Sequence, residues 1–191
     1  EETGIDLPGE AKGQTWTRDY FTSAEGYLSL ATASFGQRFT VSPLQLLSAF
    51  SATVNGGNLI QPYVLDSVRD TDGSIIYQTE PTVVRQVVSE ETSRRAAAIL
   101  ESVVSEGTGR NAYVAGYRIG GKTGTADKVN GEVIVSFVCF APAEKPQIAI
   151  AVYGEKSGSG SVMGNVAKGI MDAFFDVGEA GELDTYENTM S

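Results

Sequence analysis

The chain has 191 residues, a formal net charge of −10, a hydrophobic content of 41%, one cysteine and no histidine. This length allows one domain with a sizeable core, and the acidic balance argues against a nucleic-acid partner, because such proteins need a basic surface. Without histidine, these residues cannot provide Ser-His-Asp or Cys-His catalysis or the common zinc sites, so we expect neither a metal nor a cofactor. No apolar run approaches the roughly 20 residues of a membrane helix.

The N-terminal half of the chain contains one strong helix signal and one hairpin signal. Residues 1–34 show no sustained period and predict irregular structure with one short helix. Residues 42–45, Ser-Pro-Leu-Gln, form a capping box with proline at the first helical position, and the helix that follows is expected to end at the Asn-Gly-Gly of residues 55–57. The runs 63–69 and 75–79 flank an Asp-Thr-Asp-Gly turn and predict a short hairpin.

Three strands are predicted in the C-terminal half, at residues 118–126, 133–140 and 147–153. The dipeptide Asn130-Gly131 between the first two is a strong hairpin signal. Because both connections are short, the three strands are expected to form an antiparallel meander.

Two helices flank this meander along the sequence. Ser89 caps the first, and an amphipathic period marks the second at residues 161–176. The pattern predicts an α+β fold in which an antiparallel sheet packs against helices. Residues 178–191 are acidic with few apolar groups, so we expect a disordered tail there and a folded part over residues 1–177.

The segment around Lys122 matches two unrelated motifs. Residues 116–123 fit the phosphate-loop pattern G-x-x-x-x-G-K-[ST], whereas Lys122-Thr123-Gly124 is the Lys-Thr-Gly element of serine acyl-transferases that react with penicillin. A phosphate loop must run directly into a helix, because the first free N–H groups of that helix bind the anion. The residues after Lys122 predict strand and turn instead, so a nucleotide-binding protein is the remote alternative.

Further motifs accompany the Lys-Thr-Gly element in a fixed order. They are Gly36-Gln37, the segment 41–46, Asn55-Gly56-Gly57, Gly107-Thr108-Gly109, the segment 121–126, and Phe137 with Ala141-Pro142-Ala143. In this order and spacing, the chain resembles the C-terminal half of the transpeptidase domain of a class B penicillin-binding protein. The resemblance implies a serine β-lactamase-like fold, with a five-stranded antiparallel sheet between helices and the Lys-Thr-Gly element on the strand that edges the active site. It also implies bacterial peptidoglycan cross-linking at the extracytoplasmic face of the cell membrane.

The chain departs from the family in one respect that bears on mechanism. The family carries a nucleophilic serine in Ser-x-x-Lys and a second serine in Ser-x-Asn, and neither pattern occurs in these residues. In the family both elements lie upstream, together with the membrane anchor, so we expect the missing N-terminal part of the domain to precede Glu1. On this view the parent protein is a serine-type D,D-transpeptidase, and this chain on its own is inactive.

The candidate site residues are Lys122, Thr123, Gly124 and Thr125. Acyl transfer needs a cation, donors for the substrate carboxylate and N–H groups aimed at the oxyanion. Thr123 and Thr125 project from one side of a strand, because side chains repeat every two residues, so both hydroxyls can face one carboxylate. By resemblance, Lys122 hydrogen-bonds the serine of Ser-x-Asn, and the backbone N–H of Thr125 is half of the oxyanion hole. Glycines 120, 121 and 124 are expected to let a peptide pair with this strand.

The expected partners of the complete protein are the D-Ala-D-Ala stem peptide of peptidoglycan and β-lactams, with membrane contact only through an upstream anchor. A second class of function stays open: a non-catalytic relative that keeps the fold as a binding or scaffold module. The upstream coding sequence distinguishes the two, because only a catalytic parent encodes Ser-x-x-Lys and Ser-x-Asn.

Overall fold

The structure is a computed structural model that describes residues 2–114, 116–128, 131–155 and 160–179. The chain divides into two units, residues 1–94 and 95–191. Among the described helices, none is both long enough and apolar enough to cross a bilayer.

The first unit begins with short helices and one well-capped helix. Helices α1 (Arg18–Thr22) and α2 (Tyr27–Ala33) lie where the sequence predicted one short helix. Helix α3 (Pro43–Val54) begins at the predicted capping box, in which the Ser42 hydroxyl accepts the Gln45 N–H and the Gln45 side chain accepts the Ser42 N–H. This reciprocal pair satisfies two N–H groups that the helix leaves free at its start.

Two short antiparallel ladders complete this unit. Strand β1 (Asn58–Ile60) pairs with β4 (Val83–Gln86), and β2 (Ser67–Arg69) pairs with β3 (Ile75–Gln78). The hairpin of β2 and β3 was predicted, whereas the pairing of β1 with β4 was not.

The first hairpin strand begins at Ser67, four residues later than predicted. The Asp6 carboxylate accepts the backbone N–H groups of Val64 and Leu65, at 2.8 and 2.9 Å, so a side chain occupies donors that a longer strand would use. These two bonds also lower the pKa of Asp6, because they stabilise its charged form.

The second unit is built on a three-stranded antiparallel sheet. Its strands are β5 (Gly120–Asp127), β6 (Val133–Ala141) and β7 (Ile148–Glu155), in that spatial order, as the predicted meander requires. Helix α4 (Glu90–Ser105), which starts in the first unit, and a 3-10 turn (Arg110–Ala112) precede the sheet, and helix α5 (Gly160–Glu179) follows it. The antiparallel sheet with packed helices confirms the predicted α+β class. The described residues supply three strands of this sheet, not the five that the resemblance implied.

One face of the sheet forms the main core with α5. Odd-numbered side chains of β6 meet α5 residues that recur every four positions, as expected for the buried face of an amphipathic helix. The residues are Val135, Phe137, Cys139 and Ala141 from β6, and Met163, Ala167, Met171 and Phe175 from α5.

Helix α5 ends two residues beyond the predicted limit of the folded part. Its backbone remains helical to Glu179, so the predicted boundary at residue 177 does not mark the helix end. Residues 180–191 of the predicted tail lie outside the described residues, and the assignment of residues 1–177 to one domain stays a prediction.

Candidate functional site

The Lys-Thr-Gly element lies inside strand β5. Residues from Gly120 to Asp127 form eight consecutive strand positions opposite β6, and no helix starts at Lys122. The phosphate-loop alternative is therefore wrong, since its anion site depends on a helix at that point.

Strand β5 lies at an edge of its sheet. One side of the strand pairs with β6, and no strand among the described residues pairs with the other side. We call that unpaired side the open edge of β5. A sheet edge presents backbone donors and acceptors on which an extended peptide can add as a further strand.

The hairpin register determines which backbone groups face the open edge. The Lys128 N–H donates to the Glu132 carbonyl at 2.7 Å, and this pair continues the register in which Asp127 lies opposite Val133. Hydrogen-bonded and non-bonded pairs alternate along an antiparallel ladder. Even-numbered residues of β5 therefore bond to β6, and the N–H and C=O groups of the odd-numbered residues, Thr123 and Thr125 among them, point to the open edge.

Lys122 supports this assignment directly. Its ammonium donates to the carbonyl of Thr123 at 2.7 Å, which places the positive charge at the open edge. Thr123 lies opposite Phe137 and Thr125 opposite Val135, so both threonine side chains occupy the sheet face that carries α5. Gly124 belongs to the other face, as the alternation predicted.

Thr108 also lies at the site, and sequence reasoning gave it no role of its own. Its hydroxyl is 3.1 Å from the Thr123 hydroxyl, within hydrogen-bonding distance. The sequence feature that could have identified Thr108 is the triplet Gly107-Thr108-Gly109, in which a polar residue lies between two glycines. This triplet was used only as one motif of the family resemblance.

Two glycines of β5 are required by packing against β6. A Cβ added at Gly121 would lie 2.8 Å from the Cys139 Cβ, and one added at Gly120 would lie 2.4 Å from the Phe140 Cε1. Both glycines are buried. A side chain at either position would overlap atoms of β6, so packing inside the sheet requires glycine there. That these glycines also let a peptide pair with the strand stays a prediction.

The first residue of α5 lies against the motif. A Cβ added at Gly160 would lie 3.0 Å from the Gly124 carbonyl oxygen and 3.4 Å from the Thr123 Cβ. Glycine at this position therefore lets the helix start directly beside the two central residues of the Lys-Thr-Gly-Thr segment.

A bidentate ion pair joins Arg118, just before β5, to Glu101 of α4. The Arg118 guanidinium donates to both carboxylate oxygens of Glu101, each at 2.6 Å. The hydrogen bonds to Arg118 hold the pKa of Glu101 below its usual value, because they stabilise the carboxylate. Bidentate pairs of this kind constrain the relative orientation of the two side chains and also provide charge attraction.

Two other types of chemistry find no support in this region. Cys139 is fully buried, and burial raises the pKa of its thiol to about 12, so it does not provide a thiolate nucleophile at neutral pH. Among the described residues, no group of three or more His, Cys, Asp or Glu side chains could hold a metal ion.

Comparisons with known proteins identify one family that matches most of the chain. The family described as "Penicillin binding protein transpeptidase domain" matches residues 1–172. Stage V sporulation protein D of Bacillus subtilis is 45% identical over 159 residues, which cover 80% of this chain and 24% of that protein. Peptidoglycan D,D-transpeptidase MrdA of Acinetobacter baumannii is 31% identical over 192 residues, which cover 90% of this chain and 29% of that protein.

A solved structure extends the likeness to three dimensions. Penicillin binding protein 3 from Mycobacterium tuberculosis, complexed with aztreonam, matches with a TM-score of 0.76 and 26% identity, over 92% of this chain and 44% of that chain. The chain spans about a quarter of the length of the two curated relatives. Since the family match covers nearly all of the described residues, the chain belongs to the penicillin binding protein transpeptidase domain family.

Proposed function

We propose that this chain provides the substrate-binding strand of a peptidoglycan D,D-transpeptidase, which cross-links stem peptides through an acyl-serine intermediate. The observation that carries the proposal is the open edge of β5, where the Lys122 ammonium and the outward backbone groups of Thr123 and Thr125 lie together. The family match and the D,D-transpeptidase name of one relative support this choice of reaction.

Each group has a role that follows from its chemistry. The stem peptide ends in D-Ala-D-Ala, and its terminal carboxylate accepts hydrogen bonds from the hydroxyls of Thr123 and Thr125, which share one face of β5. The serine oxygen attacks the carbonyl of the penultimate residue, the negative charge develops on that carbonyl oxygen, and the N–H of Thr125 at the open edge donates to it. The proton of the serine hydroxyl passes to the amide nitrogen, the C–N bond breaks, and the terminal D-Ala leaves as an amine while the rest of the peptide stays on the serine as an ester.

Lys122 supplies the positive charge of the motif. Its ammonium at the open edge favours binding of the substrate carboxylate. As the family resemblance implies, it also donates to the serine of the Ser-x-Asn element in the complete protein. That serine and the nucleophile belong to parts of the parent outside these residues, because neither Ser-x-x-Lys nor Ser-x-Asn occurs in them. In this proposal, the complete protein binds stem peptides and β-lactams at the extracytoplasmic face of the membrane.

A non-catalytic binding or scaffold module is the second candidate. The open edge of β5 suits this role too, since an exposed sheet edge can bind an extended peptide without a nucleophile. The two candidates differ in one observable: only a catalytic parent is acylated by penicillin.

The test is the acylation rate of the complete parent by labelled penicillin, in three variants. Thr123→Val removes one hydroxyl and keeps the β-branched shape, so we expect a slowing of roughly ten- to a hundredfold, as for loss of a hydrogen bond to a charged group. Thr125→Val should slow the reaction less, because its backbone N–H survives the substitution. Lys122→Met should be slowest, since it removes the positive charge of the motif.

The controls are matched substitutions at positions outside the β5 segment of the sequence. Lys145→Met and Thr82→Val change exposed residues of the same types and should leave the rate within twofold of the parent. Melting temperatures check that every variant folds. A Lys122→Met rate within twofold of the parent contradicts the proposed site, and a parent that is never acylated favours the scaffold module.

A further inference from the structure

Thr108 lies in a tightly packed turn beside the Lys-Thr-Gly element. The turn follows α4, and the Gly109 N–H closes it by donating to the Val103 carbonyl at 2.9 Å. A Cβ added at Gly107 would lie 2.8 Å from that same carbonyl oxygen, and one added at Gly109 would lie 3.1 Å from it. The two glycines thus let the turn that carries Thr108 pack closely on the last turn of α4.

The distance between Thr108 and Thr123 has a chemical consequence. Their hydroxyl oxygens are 3.1 Å apart, so one hydroxyl donates to the other. A hydroxyl carries one proton. If Thr123 donates to Thr108, its proton is used and cannot reach a substrate carboxylate; if Thr108 donates to Thr123, the Thr123 proton stays free.

We propose that Thr108 is a positioning residue, whose hydroxyl donates to Thr123 and thereby directs the Thr123 proton to the substrate carboxylate at the open edge of β5. The inference rests on the proposed function, because it assumes that Thr123 binds a carboxylate. A negative ligand selects this arrangement, since a carboxylate accepts the remaining proton and a hydrogen bond to a charged acceptor is stronger than one to a hydroxyl. Thr108 then acts through Thr123 and needs no contact with the reacting atoms.

The expected effect is selective for ligands that carry the carboxylate. Without Thr108, the Thr123 hydroxyl loses its donor and its orientation but remains in place. We therefore expect Thr108→Val to slow acylation by benzylpenicillin about three- to tenfold, which is less than the loss expected for Thr123→Val. Acylation by benzylpenicillin methyl ester, which has no carboxylate, should change by less than twofold.

The experiment measures acylation rates of the complete parent protein with both probes. Thr108→Ser keeps the hydroxyl and should restore the benzylpenicillin rate to within twofold of the parent. In a Thr123→Val background, Thr108→Val should slow benzylpenicillin no further, because two residues that act as one unit are not additive. Thr82→Val is the matched control, and melting temperatures are recorded for all variants.

Several results would overturn the inference. An equal loss with both probes means that Thr108 only supports the fold, and an unchanged benzylpenicillin rate means that it has no role in binding. An additive loss in the Thr123→Val background shows that Thr108 acts independently of Thr123. Failure of the proposed function gives a different pattern, in which the parent reacts with neither probe or Lys122→Met reacts as fast as the parent; that pattern overturns both proposals.

Discussion

Gly121→Ala is expected to loosen the sheet that carries the candidate site. The added Cβ would lie 2.8 Å from both the Cys139 Cβ and the Phe137 Cζ, and 2.9 Å from the Val138 carbonyl oxygen. None of these atoms can move easily, because Phe137 and Cys139 are fully buried and the third atom belongs to the backbone of β6. Overpacking of this kind costs about 1–3 kcal/mol of folding free energy.

The single cysteine of the chain supplies a local assay for this cost. Cys139 lies opposite Gly121 in the ladder and is fully buried, so a thiol reagent reaches it only when the sheet opens. At about 1.4 kcal/mol for each factor of ten, a loss of 1–3 kcal/mol raises the rate of labelling by an aromatic disulfide reagent roughly 5- to 150-fold. The rate is measured in native buffer, with urea unfolding followed by far-UV circular dichroism in parallel.

Gly169→Ala is the matched control. Gly169 lies on the exposed side of α5, and a Cβ added there meets no atom within 4 Å. Alanine favours the helix over glycine by roughly 0.5–1 kcal/mol, so this variant should be labelled two- to fivefold more slowly than the parent. The reasoning fails if Gly121→Ala is labelled no faster than the parent, or if the two alanine variants change the rate in the same direction.

Two further predictions concern the chain on its own. Incubated with labelled penicillin, it should form no covalent adduct, because it lacks the Ser-x-x-Lys nucleophile; a stoichiometric mass increase on any of its serines would show that the active site is misplaced. Glu101→Gln should lower the urea midpoint by an amount that depends on pH. Arg118 holds the folded-state pKa of Glu101 below its usual 4.5, so the stabilisation is fully present above that value and is lost as the pH falls through the lowered pKa. Arg118 is mostly exposed, so solvent screening keeps the effect small at pH 7. A difference between parent and variant that grows at pH 3 would contradict this prediction.

The elements with local signals were predictable from the sequence. The capping box at Ser42 specifies a helix start through contacts between neighbouring residues, and the structure has both of its hydrogen bonds. The apolar runs of β6 and β7 and the short connections predicted the meander for the same reason, because strands joined by tight turns pair with each other. The sequence also predicted that Lys122 lies in a strand, because the residues after the motif carry no helix signal.

Features that depend on distant residues were not predictable in this way. The pairing of β1 with β4 joins segments more than 20 positions apart, and neither segment shows a turn signal toward the other. The contact of Thr108 with Thr123 depends on how the turn after α4 packs, and the tight fit at Gly121 depends on the side chains of β6. The sequence alone also suggested that glycines in β5 serve a ligand, whereas packing inside the sheet explains Gly120 and Gly121.

In the proposed function, the open edge of β5 binds the reacting group. The most direct measurement is a crystal structure of the complete parent acylated by benzylpenicillin. We expect the carbonyl oxygen of the acyl group to lie about 2.7–3.1 Å from the backbone nitrogen of Thr125, the distance of an oxyanion-hole donor. We also expect the Thr123 hydroxyl to donate to the carboxylate of the drug. An acyl group on a serine remote from β5, or a carbonyl oxygen that no backbone N–H of β5 reaches, would contradict the account.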